Sequence, residues 1–130
     1  MLEQIIIKTT KRTEFIDITR TIQEVIAERN YQQGLCTVYV HHTTAGLFIN
    51  EAADPAVCKD LENFLDRLVP WKAEWEHLEG NAAAHVKAVL CGNSHSIPIQ
   101  EGKLQLGTWQ GIFLAEFDGP RTRKVLLAFT

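Results

Sequence analysis

The chain has 130 residues, 45% of them hydrophobic, and a formal net charge of −3. This length suits one compact domain over residues 1–130 and is enough to bury a core. The charge lacks the basic excess of a dedicated nucleic-acid binder, and no window approaches the roughly 18 apolar residues of a membrane-spanning helix.

The first residues, Met1-Leu2-Glu3-Gln4-Ile5-Ile6-Ile7-Lys8, lack the charged start, long apolar stretch and cleavage site of a secretory signal. They read as a first strand over Leu2–Thr9, and a cytoplasmic location is expected, with neither membrane nor nucleic acid as partner. Ile18, Ile22, Val25 and Ile26 recur at helical spacing. They predict a helix over Ile18–Asn30, with Gly34 in the turn after it. Leu35–His42 reads as a strand rich in β-branched and aromatic residues. Asp54-Pro55 opens a second helix, because Asp can cap and Pro fits the first turn. Val57, Leu61, Phe64, Leu65 and Leu68 follow on one face, and Pro70 ends the run. A shorter third helix is expected from Asn81 to near Gly92. The last third reads as short strands over Ser96–Gln100, Lys103–Leu106, Gly111–Phe117 and Arg123–Phe129, punctuated by glycines. Strands from both ends with helices between them predict an α+β fold built on a mostly antiparallel β-sandwich with flanking helices.

The three cysteines, Cys36, Cys58 and Cys91, form no CxxC pair. Neither a disulfide framework nor a thiolate zinc site is indicated, and all three are expected in the core.

Three histidines carry the chemical argument. Strand alternation puts Cys36, Val38, Val40 and His42 on one apolar, inward face. His42 therefore ends a buried face where the strand leaves the core, followed by the small or hydroxylated residues Thr43 to Gly46. It either lines a pocket or is satisfied by hydrogen bonds. His41, of opposite parity, reads as a surface residue. His85 lies within the third helix with Ala82, Ala88 and Val89 on its side, so an inward face is expected. His77 precedes that helix in a loop. Neutral imidazole is a common metal ligand, and three histidines with an open position make a catalytic zinc arrangement. Against this, no HExxH helix is present; taken singly, His42 is equally a hydrogen-bonded structural residue, His85 is more often one, and His77 is a loop histidine.

Among the carboxylates, Glu51 and Asp54 could act as bases or as partners of an imidazole, although the helix start already explains Asp54. Glu116, in a strand between Ala115 and Phe117, is expected on the solvent face, with a site carboxylate as the alternative. No GxSxG elbow, P-loop or dinucleotide fingerprint occurs. Gly107-Thr108-Trp109-Gln110-Gly111 could cradle an anion with its backbone N–H groups, helped by Arg121 or Arg123, or form a plain hairpin turn anchored by Trp109.

Three motifs in order resemble the YjbQ family. The first is His42-Thr43-Thr44-Ala45-Gly46-Leu47, then Ile49-Asn50-Glu51 and Asp54-Pro55. The second is His77-Leu78-Glu79-Gly80-Asn81 with His85. The third is Ile97-Pro98-Ile99, then Leu106-Gly107-Thr108-Trp109-Gln110-Gly111-Ile112. The resemblance covers nearly the whole chain. It implies an α+β subunit around a β-sandwich, assembled as a homotrimer, with a cleft where the motif histidines hold a divalent metal. Zinc is the expected ion and magnesium the alternative. Carried over residue by residue, His42, His77 and His85 would be the ligands, with Glu51, Asn50, Thr108 and Gln110 as nearby polar groups. The family carries the label secondary thiamine-phosphate synthase, a transfer joining a pyrimidine pyrophosphate to a thiazole phosphate. On that reading the substrate is small and phosphorylated, and the expected catalytic groups are Glu51, Gln110 and Arg121. Three alternatives stand beside it: a metal-assisted hydrolase with Glu51 as base, a non-catalytic metal or small-ligand binder, and a purely structural oligomer whose histidines hydrogen-bond in the core.

Overall fold

The computed structural model describes all residues from Met1 to Thr130. In chain order the elements are β1 (Leu2–Lys8), β2 (Glu14–Asp17), α1 (Thr19–Glu28), β3 (Gln33–Val40), β4 (Ala45–Glu51), α2 (Pro55–Leu68), α3 (Ala82–Cys91), β5 (Ser94–Gln100), β6 (Lys103–Leu104), β7 (Gln110–Glu116) and β8 (Thr122–Phe129). The strands form a five-stranded sheet in the order β1-β8-β3-β5-β6 and a three-stranded sheet in the order β2-β7-β4. Every pairing is antiparallel, so the expected α+β sandwich is the observed fold. No helix is long and apolar enough to cross a membrane.

Alternation explains the layers. Cys36, Val38 and Val40 of β3, Val125 and Leu127 of β8, and Ile97 and Ile99 of β5 point to one side of the larger sheet. They meet Ala45 and Leu47 of β4 and Ile112 and Leu114 of β7 from the smaller sheet, forming a core cluster of 16 buried residues. Ile22 and Ile26 of α1, with Ile18 just before it, join the same cluster. The other face of the smaller sheet carries Phe48, Phe113 and Ala115, with Phe117 just beyond, and there α2 and α3 cover it. Because both its faces are covered, β7 reads as a continuous apolar run from Gly111 to Ala115.

Helix α2 starts as the sequence predicts. Asp54 Oδ1 accepts the Ala56 N–H at 2.9 Å, with Pro55 in the first turn. Two strands, β2 and β4, lie outside the sequence-predicted set, and the strand expected to reach Leu106 stops at Leu104. The cysteine expectation is also corrected. Cys36 is buried, and burial pushes its thiol up to about 12, whereas Cys58 and Cys91 are only half-buried.

Candidate functional site

The turn between β3 and β4 carries His42, and α3 runs alongside it. Their approach depends on Gly46, where a Cβ would lie 2.7 Å from the Gly92 carbonyl oxygen at the end of α3. The Leu47 N–H donates to that same oxygen at 2.9 Å. Between turn and helix opens a cleft of 470 Å³ lined by His42, Thr43 and Ala45 on one side and His85, Ala88 and Val89 on the other, closed by Gly92 and Asn93. His77, from the exposed loop before α3, sets its ring edge-on to His85, with centroids 5.0 Å apart. Two of the three motif histidines thus share one cleft, and the third touches one of those two.

His42 is held by a specific contact. The backbone N–H of Lys124 in β8 donates to His42 Nε2 at 2.9 Å. That nitrogen must keep its lone pair, so the ring is neutral and carries its proton on Nδ1. Burial, then the charge of Arg123 and the neighbouring His41, push the imidazole below its ordinary range. Val89, expected to face inward beside His85, is 81% exposed, while Ala82 and Ala88 are buried.

Behind His42 lies a buried ion pair that the sequence reading did not anticipate. Glu116, expected on the solvent face, has no exposed surface, and Arg123 is 4% exposed. The correction follows from parity. Glu116 continues the inward series Ile112, Leu114, and Arg123 begins the inward series Val125, Leu127. The two sheets therefore end on opposite charges that face each other across the sandwich. Arg123 Nε donates to Glu116 Oε1 at 2.8 Å, and its Nη2 donates to Thr44 Oγ1 at 2.8 Å and to the second carboxylate oxygen. Thr9 Oγ1 and the Asp118 N–H complete the carboxylate's partners, at 2.8 and 2.9 Å. Burial alone would raise the Glu116 carboxyl, but the hydrogen bonds and charge of Arg123, with those of Asp118 and Thr9, hold it below the usual range. Arg123 thus ties Thr44, two residues from His42, to the strand that supplies the Lys124 N–H.

Arg121 stands on the same side of the molecule, half-exposed. It donates to the Asp118 carbonyl and carboxylate at 2.8 and 2.9 Å. Asp118 in turn accepts from the Asn81 amide at 2.9 Å, at the start of α3.

Glu51 and Gln110 lie elsewhere. They are paired across β4 and β7 at the end of the smaller sheet opposite His42, separated from it by the length of β4, roughly 20 Å at ~3.3 Å per residue. Glu51 Oε2 accepts the Ala53 N–H at 3.0 Å, and Gln110 Oε1 accepts the Gly107 N–H at 2.8 Å. Asn50 and Thr108 are exposed at that same end. The Gly107–Gly111 segment is a tight turn closed by Gln110 N–H to the Gly107 carbonyl, and Trp109 is exposed rather than an anchor.

The histidines fit a divalent ion in donor type, since neutral imidazoles suit zinc. They do not close a shell within one chain: no group of three or more His, Cys, Asp or Glu side chains is close enough to hold a metal, and His42 Nε2 is already engaged.

The family described as UPF0047 protein YjbQ-like matches residues 3–130. The chain is 53% identical over 124 residues to UPF0047 protein MJ1081 of Methanocaldococcus jannaschii, covering 95% of this chain and 90% of that one. It is 50% identical to UPF0047 protein YugU of Bacillus subtilis, covering 95% and 94%. Its fold superposes on the crystal structure of a conserved YjbQ/UPF0047 protein of Clostridium acetobutylicum with a TM-score of 0.95, at 45% identity and 98% and 99% coverage. A hypothetical protein of Aeropyrum pernix also gives a TM-score of 0.95, at 36% identity and 100% and 98% coverage. With three ordered motifs, the same fold and a match over nearly its full length, the chain belongs to the YjbQ/UPF0047 family.

Proposed function

We propose that the cleft between the β3–β4 turn and α3 is the working site of a small-molecule enzyme in which His77, His85 and His42 hold a divalent cation, zinc first and magnesium as the alternative. The observation that carries this reading is that His42 and His85 line one cleft while His77 is in ring contact with His85. Such an ion supplies a Lewis acid toward a phosphate or carbonyl oxygen. The chain's own groups do the rest. His42 becomes a ligand by releasing its Nε2 from the Lys124 N–H, and the Arg123–Glu116 pair fixes the turn that carries it. Arg121, kept at the start of α3 by Asp118, is the exposed cation suited to a phosphate. The substrate class that fits is a small phosphorylated molecule, in line with the thiamine-phosphate label of the family.

The working unit we propose is a homotrimer. Its support is the outer face of the five-stranded sheet, where Leu2, Ile6, Leu35 and Tyr39 are exposed around the half-buried Leu126, interleaved with Gln4, Thr37 and Lys124. Four exposed large apolar side chains gathered on one sheet face support a contact surface there. Assembly also gives Glu51 and Gln110 a route to a histidine cleft, that of another copy. A second reading, a non-catalytic metal or small-ligand binder, is favoured by one observation: no carboxylate lines the cleft to serve as a base.

The test is elemental analysis of purified wild type beside a His42→Ala, His85→Ala double variant with its fold checked. Near-stoichiometric zinc in the wild type, lost in the folded variant, is the expected result. No metal in wild type after supplementation would sink the ligand assignment.

A further inference from the structure

A second chamber lies on the other side of α3 and shares no lining residue with the histidine cleft. It measures 260 Å³, and eight of its nine lining residues are hydrophobic. Its wall is aromatic. Phe15 of β2 stands edge-on to Phe48 of β4 at 5.1 Å and to Phe117 at 6.0 Å. Leu61 and Leu65 of α2 form the roof, and Leu90 and Cys91 of α3 form one side. Asn50 is the one polar residue of the lining, and no charged side chain enters it. Burial pushes the Cys91 thiol up to about 11, so it is uncharged at neutral pH.

The roof is under-packed. None of the 14 residues of α2 is buried, although Val57, Leu61 and Leu65 follow one apolar face. The helix is tied to α3 by the ion pair of Asp66 with the buried Lys87. Side chains around an unfilled space lose dispersion partners that a filled one provides. An engineered apolar cavity of about 150 Å³ takes up benzene, so this larger chamber has room for a substituted ring or a fused bicycle.

We propose that this chamber is a binding site for a small, uncharged aromatic molecule of one or two fused rings, held edge-to-face by Phe15, Phe48 and Phe117 beneath α2. The edges and faces of these rings complement a planar aromatic guest. The absence of any lining cation gives an anionic analogue nothing to pair with. The proposal stands independently of the metal reading of the histidine cleft.

Titration of the full chain with indole, followed through the methyl resonances of Ile49, Leu61, Leu65 and Leu90, tests it. We expect saturation at one indole per chain with shifts confined to those methyls, and benzoate weaker by about tenfold or more. Leu65→Trp, which places its own indole in the chamber, should weaken indole by about tenfold or more. Leu61→Phe is the milder filling variant, expected to act in the same direction should the tryptophan fail to fold. The proposal is overturned by no saturable binding up to the solubility of indole, by benzoate binding as well as indole, or by unchanged affinity in the folded variants. It is equally overturned if those methyls shift on dilution of the protein alone, which would put a second copy over the chamber.

Discussion

At the scale of single residues, the Glu116–Arg123 pair is the feature on which the histidine cleft depends most. Removing one partner of a buried, hydrogen-bonded pair leaves an uncompensated charge and costs about 3–5 kcal/mol. Glu116→Ala should lower stability by that amount in urea unfolding, whereas a Glu116→Met, Arg123→Met double variant should cost less than the single one. The pair also sets an acid limit. The Glu116 carboxyl is held below its ordinary range in the folded chain, so the unfolded chain takes up the proton first. Its contribution is complete above the usual carboxylate pKa of about 4.3 and is lost as pH falls through the lower folded value. Acid unfolding of wild type should therefore carry a proton-uptake step that Glu116→Gln lacks. Glu116 was legible only through the inward series that it shares with Ile112 and Leu114. Flanked by Ala115 and Phe117, it sits in a strand apolar on both faces, and such a strand gives no sign of which face is wet.

Among the elements, what could be read from the sequence followed the strength of the local signal. The start of α2 was legible because Asp54 and Pro55 each have one physical use there, and Asp54→Ala should cost about 1 kcal/mol. The β3 face was legible because Cys36, Val38 and Val40 alternate cleanly with Thr37 and Tyr39. Strand β4 was not. It packs on the larger sheet with one face and on α3 with the other, so Leu47, Phe48 and Ile49 form a run without alternation. Strand β2, four residues long, is too short to show any period. Of the motif histidines, His42 and His85 line one cleft and His77 lies against His85, while the remaining motif residues Glu51 and Gln110 fall at the opposite end of the sheet; local sequence has no information on that distance. Gly46 links these elements to the site. Gly46→Ala puts a methyl against the Gly92 carbonyl, so α3 must move away from β4. Lower stability and a weakened His42–His85 cleft, read as reduced zinc content of the folded fraction, are the expected outcome.

For the whole molecule, the outer face of the larger sheet and the histidine cleft make a joint demand. If copies of the chain cover Leu2, Ile6, Leu35 and Tyr39, a charge placed there should separate them. Tyr39→Lys is expected to reduce the sedimenting mass toward that of the 14.7 kDa chain while leaving the fold intact; an unchanged mass would remove that face from the assembly. The central claim is that His42, His77 and His85 act together on one ion, and the chain's five histidines supply their own controls. The measurement is the histidine ring 15N spectrum of metal-free protein during zinc titration. Before zinc, His42 should appear as the neutral Nδ1–H form that Lys124 enforces. On addition, His42 should exchange the Lys124 N–H for the ion at Nε2, and the resonances of His42, His77 and His85 should change together and stop at one equivalent per chain, with His41 and His95 unmoved. Shifts confined to His41 and His95, or no saturation at any histidine, would contradict the account.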